Sequence, residues 1–250
     1  MKAIILCGGY AKRLWPLTKY TPKPLLDING KPILDHIVNK LEKIEDVDEI
    51  LVSTNEKFAA PFMEWTDIHN KTRNTKLKLI IEPTKEEAGK FGTVEGIRYL
   101  IEKENITDDC LIIAGDNLFD FELPDFISFF RNKKSPVIAV YDVKDKNKAM
   151  IYGIVGIDEK NRIIDFVEKP ESPPSTLAAT CCYLLPKGAL PLFETYIKEG
   201  NRKDSPGFFI DWLSKQQPVH VFSFDGHWFD IGDFESLEKA REFMKKSLSQ

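Results

Sequence analysis

The first 26 residues carry five basic side chains, Lys2, Lys12, Arg13, Lys19 and Lys23, and no acid. Four of the five follow Gly8-Gly9, the pair that ends the apolar run Lys2-Ala-Ile-Ile-Leu6. A glycine turn after a buried strand exposes backbone N–H groups, and neighbouring cations complete a cradle for an anion. Pro22 and Pro24 flank Lys23 and restrict the backbone there, so its ammonium group is held with little freedom. Two acids lie far along the chain. Asp116 follows the run Leu111–Ala114 across Gly115, and Asp230 stands in Trp228-Phe-Asp-Ile-Gly-Asp233. A cation bridging phosphates takes one or two carboxylates of this kind, with phosphate and water oxygens completing its shell. By spacing alone Asp120, Asp225 and Asp233 suit the same role, and any of these acids also suits a turn or helix cap. Glu168-Lys169-Pro170 offers a carboxylate for sugar hydroxyls and a cation for a phosphate, or simply an exposed hairpin end. The P-loop pattern G-x-x-x-x-G-K-[ST] and the dinucleotide pattern G-x-G-x-x-G are both missing, which excludes the two best-known phosphate loops.

The elements that position these groups are legible as periodicity. Short apolar runs at 2–6, 49–53, 76–81 and 110–114 predict buried strands. Pro32 precedes Ile33, Leu34, Ile37, Val38, Leu41 and Ile44 at helical spacing, and Val94, Ile97, Leu100 and Ile101 form a second stripe over 93–104. Strands alternating with amphipathic helices predict an α/β fold with a mainly parallel central sheet and helices on both faces. Beyond Pro136 the texture changes to strands at 137–143, 151–157, 163–167 and 178–185, with helices returning at 187–199, 208–215 and 234–246. We read residues 1–250 as one domain with a nucleotide-binding-type lobe at 1–135 and a smaller β-rich lobe at 136–250. No linker, internal repeat or hexapeptide β-helix tail is present.

Composition removes whole classes. At 250 residues with 42% hydrophobic side chains, roughly 70–75% of the unfolded surface can be buried without disulfides or a structural metal. The charge balance, 35 basic against 39 acidic side chains for a net −4, argues against nucleic-acid binding. No apolar run reaches the roughly 18 residues of a membrane helix. Cys7, Cys110, Cys181 and Cys182 have no metal-ligand spacing with one another or with the four histidines, and Cys7 and Cys110 read as small buried hydrophobes. A reducing, cytoplasmic setting is expected. Self-association into a homo-oligomer is compatible with the sequence.

Leu6-Cys-Gly-Gly-Tyr-Ala-Lys-Arg-Leu-Trp-Pro-Leu-Thr18, Pro22-Lys-Pro-Leu-Leu26 and Gly30-Lys-Pro32 resemble the signature of the sugar-1-phosphate nucleotidyltransferases. Ala114-Gly-Asp-Asn-Leu-Phe119, Tyr152-Gly-Ile-Val155, Val167-Glu-Lys-Pro170 and Trp228-Phe-Asp-Ile-Gly232 continue the likeness in order over essentially the whole chain. The chain looks most like short-form glucose-1-phosphate thymidylyltransferases. The resemblance implies a Rossmann-like sheet, a nucleoside triphosphate and a hexose 1-phosphate as substrates, Mg²⁺ as cofactor, and an NDP-sugar and pyrophosphate as products. It implies that Leu6, Gly8, Gly9, Glu82, Gly92 and Asp116 meet the nucleotide, that Arg13 binds departing pyrophosphate, and that Lys23 holds phosphate charge at the reacting centre. Asp116 and Asp230 match metal-binding acids, Gly153 and Glu168 match sugar contacts, and Lys169 matches the lysine on the sugar phosphate.

Three positions depart from that pattern. Ala11 replaces a glycine, Lys12 replaces a small hydroxyl residue, and Cys181 replaces a glycine beside the sugar, which narrows the expected sugar pocket. Thymidylyltransferases carry Gln where Glu82 falls. A Gln presents a donor and an acceptor to thymine or uracil, whereas an ionised Glu only accepts, suiting guanine or the amine of cytosine. Mannose-1-phosphate guanylyl transfer, or cytidylyl or uridylyl transfer, is therefore the alternative reading. A catalytically silent sugar-nucleotide sensor is the alternative from another class. It would have lost a phosphate or metal group, and all five of Arg13, Lys23, Asp116, Lys169 and Asp230 are retained.

Overall fold

The structure is a computed structural model that describes residues 1–73, 75–84 and 91–247. In chain order it runs β1 (Lys2–Leu6), β2 (Asp27–Ile28), β3 (Lys31–Pro32), α1 (Ile33–Leu41), β4 (Glu49–Asn55), α2 (Ala59–Thr72), β5 (Leu77–Glu82) and α3 (Thr93–Lys103). Then follow β6 (Cys110–Ala114), β7 (Asn117–Phe119), α4 (Leu123–Lys133), β8 (Val137–Asp142), α5 (Lys146–Ala149), β9 (Gly153–Ile157) and β10 (Ile163–Glu168). The chain closes with β11 (Leu177–Leu185), α6 (Leu192–Lys198), α7 (Pro206–Gln216), β12 (His220–Phe224), β13 (Trp228–Asp230) and α8 (Phe234–Ser247). Among the described residues no helix is long and apolar enough to cross a membrane.

Two compact units form, and neither is continuous in sequence. One holds Met1–Lys90, Ile113–Phe121 and Gly226–Gln250, the other Phe91–Ile112 and Glu122–Asp225. A single break at 135/136 does not describe this division. The turn after β6 and the β13–α8 segment pack with the amino-terminal strands, so the chain passes between the units four times.

In the first unit β1, β4 and β5 are parallel, with β4 in the middle. Ala3, Ile4, Ile5, Ile50, Leu51 and Val52 are wholly inaccessible, the mark of strands covered on both faces. The carboxyl ends of these strands bring the Gly8 turn, Asn55 and Glu82 to one edge. A second layer is an apolar cluster of Leu14, Leu26, Ile28, Ile33, Leu118, Ile231, Leu237 and Ala240. It ties the basic loop, β7, β13 and α8 together, because each contributes a side chain to the same dry centre.

In the second unit β8 lies between β11, antiparallel, and β12, parallel, while β9 pairs antiparallel with β10. Strand β11 changes register against β8 between Ala179 and Tyr183, and Cys181 sits in that bulge at φ 53°. Helices α6 and α7 are joined by Phe193 and Phe209, whose rings stack with centroids 3.8 Å apart. Helices α2 and α4 and strand β12 had no counterpart in the periodicity reading. In α4 the buried Leu123, Phe126, Ile127 and Phe130 do recur at helical spacing, but the half-buried Phe129 and the early Pro124 blur the stripe. The class is α/β, as expected.

Candidate active site

The basic loop is fixed at several points. Ala11 takes φ 45° and ψ 44°, left-handed values that glycine adopts more easily, and its carbonyl accepts from Leu14 N and Thr18 Oγ1. The single turn Lys12–Leu14 then buries Leu14 completely and leaves Arg13 pointing away from the cluster. A Cβ on Gly232 would lie 2.8 Å from Arg13 Nη2, so the guanidinium rests directly on that glycine. Lys23 opens a turn Lys23–Leu25 anchored by buried Pro24 and Leu26. Its Nζ reaches Asp116 Oδ2 at 2.5 Å.

Asp116 and Asp230 are brought together by β7 and β13. These strands pair antiparallel with Asp230 opposite Asn117, and Ile231 N donates to the Asp116 carbonyl at 3.1 Å. Trp228 Nε1 donates to Asn117 Oδ1 at 2.5 Å and locks the same ladder. Burial and the Asp116 charge raise the Asp230 carboxyl to about 6, against the opposing pull of Lys23 and Arg13. Thus the charges of Arg13, Lys23 and Asp116 all act on Asp230, and the structure brings these four predicted residues together. Of the alternative acids, Asp120 accepts from the backbone and ring of His227, Asp233 accepts from Ser236 N and Oγ at the start of α8, and Asp225 is exposed. Among the described residues no group of three or more His, Cys, Asp or Glu could hold a metal.

Gly115 explains itself sterically. A Cβ there would stand 2.5 Å from Cys7 Sγ and 3.1 Å from the Leu6 carbonyl oxygen, which accepts from Gly115 N at 2.9 Å. Leu6 thereby holds the end of β1 against the Asp116 turn. Cys7 is buried, and burial pushes its thiol well up, as it does for Cys110, to about 12.

Glu82, at the end of β5, is 9% exposed and faces the Gly8 turn; a Cβ on Gly8 would meet its two carboxylate oxygens at 3.7 and 3.8 Å. Ser53 Oγ donates to Glu82 Oε1 at 2.5 Å, and Asn55 Nδ2 donates to the Gly8 carbonyl at 2.9 Å. Burial raises the Glu82 carboxyl, and the Ser53 bond opposes it. Gly9 is exposed with open space on its Cβ side. Ser53 and Asn55 were missed from sequence. The signal was available, because a polar S-T-N ends an apolar strand beside the glycine turn.

The remaining predicted residues belong to the second unit. Glu168 is held between two glycines: a Cβ on Gly153 or Gly207 would stand 3.0 or 2.6 Å from its Oε2. Burial raises this carboxyl, while a hydrogen bond from the Ser205 side chain lowers it. Lys169 is exposed at φ 51°, its N–H bonded to the Tyr152 carbonyl at 2.9 Å. Glu168 and Lys169 line an open hollow of about 330 Å³ with Arg202, Asp204, Ser205, Pro206 and Phe208. Arg202 lies 4.0 Å over the Phe208 ring and pairs with Asp204. Arg202, Ser205 and Gly207 were also missed, hidden in a polar stretch without periodicity. Gly92 caps α3, where a Cβ would fall 2.2 Å from the Lys203 carbonyl oxygen. That backbone approach alone accounts for glycine there.

Parallel strands β1, β4 and β5, with cations and an acid pair gathered beside the β7–β13 ladder, define an α/β protein with a charged candidate site. Residues 2–247 match the family described as Nucleotidyl transferase, and the chain belongs to it. It is 31% identical over 245 residues to "Bifunctional protein GlmU" of Methanocaldococcus jannaschii, covering 98% of this chain and 54% of that protein. The chain spans about half the length of the curated relatives of that kind. It is 24% identical over 251 residues to UTP–glucose-1-phosphate uridylyltransferase AglF of Haloferax volcanii, covering 100% of this chain and 99% of that one. Among solved structures, a Bacillus anthracis protein assigned as a glucose-1-phosphate thymidylyltransferase, in complex with sucrose, superposes with TM-score 0.83 at 27% identity, covering 97% of this chain and 94% of the other.

Proposed function

We propose that this chain catalyses NTP + sugar 1-phosphate → NDP-sugar + pyrophosphate. The observation that carries this is the convergence of Arg13 and Lys23 on the acid pair Asp116 and Asp230. In this reading an oxygen of the sugar phosphate attacks the α-phosphorus of the triphosphate in line. The α–β phosphoanhydride bond breaks, and pyrophosphate leaves with its electron pair. Both reactants are anions, so the protein's task is positioning and charge neutralisation rather than nucleophilic attack. Arg13 suits the departing pyrophosphate, since its planar fork grips two oxygens. Lys23 supplies a point charge near the reacting phosphorus. Lys169, with Arg202 beside it in the hollow, serves the sugar phosphate, and Glu168 accepts from sugar hydroxyls.

The donor set fits Mg²⁺. Two carboxylates this close, with no third His, Cys, Asp or Glu grouped with them among the described residues, leave room for phosphate and water oxygens. Mg²⁺ bound by Asp116 and Asp230 would lower the mutual repulsion of the two phosphates. Lys23, now on Asp116, would be released toward phosphate.

For the base, relatives differ in the nucleotide their names carry, so likeness does not choose. Glu82 favours guanine: a carboxylate accepts from both N1–H and N2–H₂. Of the curated relatives, a Sulfolobus acidocaldarius protein assigned as a mannose-1-phosphate guanyltransferase is 28% identical over 237 residues. Thymidylyl transfer to glucose 1-phosphate is the second reading, the activity assigned to the Bacillus protein that superposes on this chain. The test is pyrophosphate release across four nucleoside triphosphates and several hexose 1-phosphates, with and without Mg²⁺. No release with any pair sinks the reaction, and dTTP outrunning GTP selects the second reading.

A further inference from the structure

Ser53 lies in the middle strand of the first unit's parallel sheet and is wholly inaccessible, yet it carries a hydroxyl among Ile50, Leu51 and Val52. Its Oγ donates to one oxygen of Glu82, and the second oxygen, Oε2, accepts from no described residue. A carboxylate this enclosed has three ways to be satisfied: take up a proton, gain donors from the protein, or gain donors from a ligand. Among the described residues the one donor to it is Ser53, and its other oxygen faces the Gly8 turn at the strands' carboxyl edge. We propose that Ser53 is a positioning residue for base selection: its hydroxyl holds Glu82 as an acceptor-only group, so that the site takes a nucleobase presenting N–H donors and rejects one presenting a carbonyl. This rests on the reading of Glu82 as the residue that meets the base.

The chemistry is a choice between two forms of one side chain. Ionised Glu82 has acceptors alone and repels O4 of uracil or thymine. Protonated Glu82 has one donor and one acceptor, the pattern a glutamine offers, and accommodates that carbonyl. Burial pushes Glu82 toward the protonated form, and the Ser53 bond is the one interaction opposing it. Removing the Ser53 hydroxyl should therefore make Glu82 behave more like glutamine. The backbone of Ser53 is independently engaged, its carbonyl accepting from Cys7 N at 2.8 Å, so Ser53→Ala keeps the strand pairing.

The experiment measures kcat/KM for GTP and for UTP with the full chain, at pH 6 and pH 8, in wild type, Ser53→Ala, Glu82→Gln and the double variant. Ser53→Ala is expected to shrink the GTP-over-UTP ratio about tenfold, chiefly through KM for GTP, and more at pH 6 than at pH 8. Glu82→Gln is expected to shift the ratio at least as far. In the Glu82→Gln background, Ser53→Ala should change nothing further, since it acts only through the carboxylate. If Glu82→Gln shifts the ratio and Ser53→Ala leaves it unchanged, the positioning role is overturned and the base reading stands. If the Ser53→Ala effect persists in full in the Glu82→Gln background, its role is structural and the proposal fails. If Glu82→Gln leaves the ratio unchanged, the base reading itself falls. Should Ser53→Ala not fold, Ser53→Cys, with a weaker donor of similar size, carries the same expectation.

Discussion

Lys23 Nζ stands 2.5 Å from Asp116 Oδ2, so a group suited to substrate phosphate occupies a group suited to metal. The two side chains are 12% and 26% exposed, so the interaction is only partly screened. In the proposed reaction, substrate and divalent cation would break it together. Lys23→Met is expected to lower turnover by about 10²-fold or more, the usual cost of removing one charge from a phosphoryl-transfer site. The same variant, without nucleotide, should bind Mn²⁺ more tightly than wild type, because no ammonium competes for Asp116. Equilibrium dialysis reads the second effect directly, and weaker Mn²⁺ binding would contradict the competition.

Asp230 carries a stability cost tied to pH. Its carboxyl is raised from an ordinary 3.8 to about 6, so the folded chain holds this proton more firmly than the unfolded chain. The contribution is fully present below about pH 4 and is lost as pH rises through about 6. Asp230→Asn, which cannot ionise, is expected to stabilise the metal-free protein at pH 8 by about 1–3 kcal/mol and to change little at pH 4. It should also abolish pyrophosphate release. Melting curves at the two pH values test the sign, and equal gains at both would refute it.

Gly115 has a steric reason that predicts a rescue. Gly115→Ala forces a methyl against Cys7 Sγ and the Leu6 carbonyl, and overpacking of this kind costs about 1–3 kcal/mol. Cys7→Ala in the same chain removes the closer contact and should recover part of that loss. Urea midpoints of the two single variants and the double variant give the coupling, and strict additivity would disprove the clash.

Lys169 and Arg202 should separate the two substrates. Lys169→Ala is expected to raise KM for the sugar 1-phosphate about 10–100-fold while KM for the triphosphate moves less than about threefold. Arg202→Ala should act in the same direction, more weakly, because Asp204 already offsets its charge. Equal effects on both KM values would remove these residues from the sugar-phosphate role.

Much of this was visible before any coordinates. The covered strands β1, β4 and β6 announced themselves as unbroken apolar runs, and α1 as one apolar stripe, because burial on two faces or one leaves those periods in the residues. The cluster of cations after a glycine turn was visible too. Helix α2 was not, since only Phe62, Thr66 and His69 of its residues are buried and no clear stripe results. Strand β12 was missed because it is short and half of it is not buried.

Residue types and local order determined which charges exist and which strand ends carry them. Tertiary structure alone decided which acids come together. Asp116, Asp120, Asp230 and Asp233 are equivalent as letters, and they part company only when β7 pairs with β13. That pairing leaves Asp230 enclosed beside Asp116 and Lys23, while Asp120 turns to His227 and Asp233 caps α8. Antiparallel pairing between segments so distant in sequence leaves no local signature, because its register is set by the cluster around Leu118 and Ile231 rather than by neighbours along the chain. The same holds for Ser53 and Glu82, two unremarkable residues whose meaning comes from burial and a 2.5 Å contact across neighbouring strands.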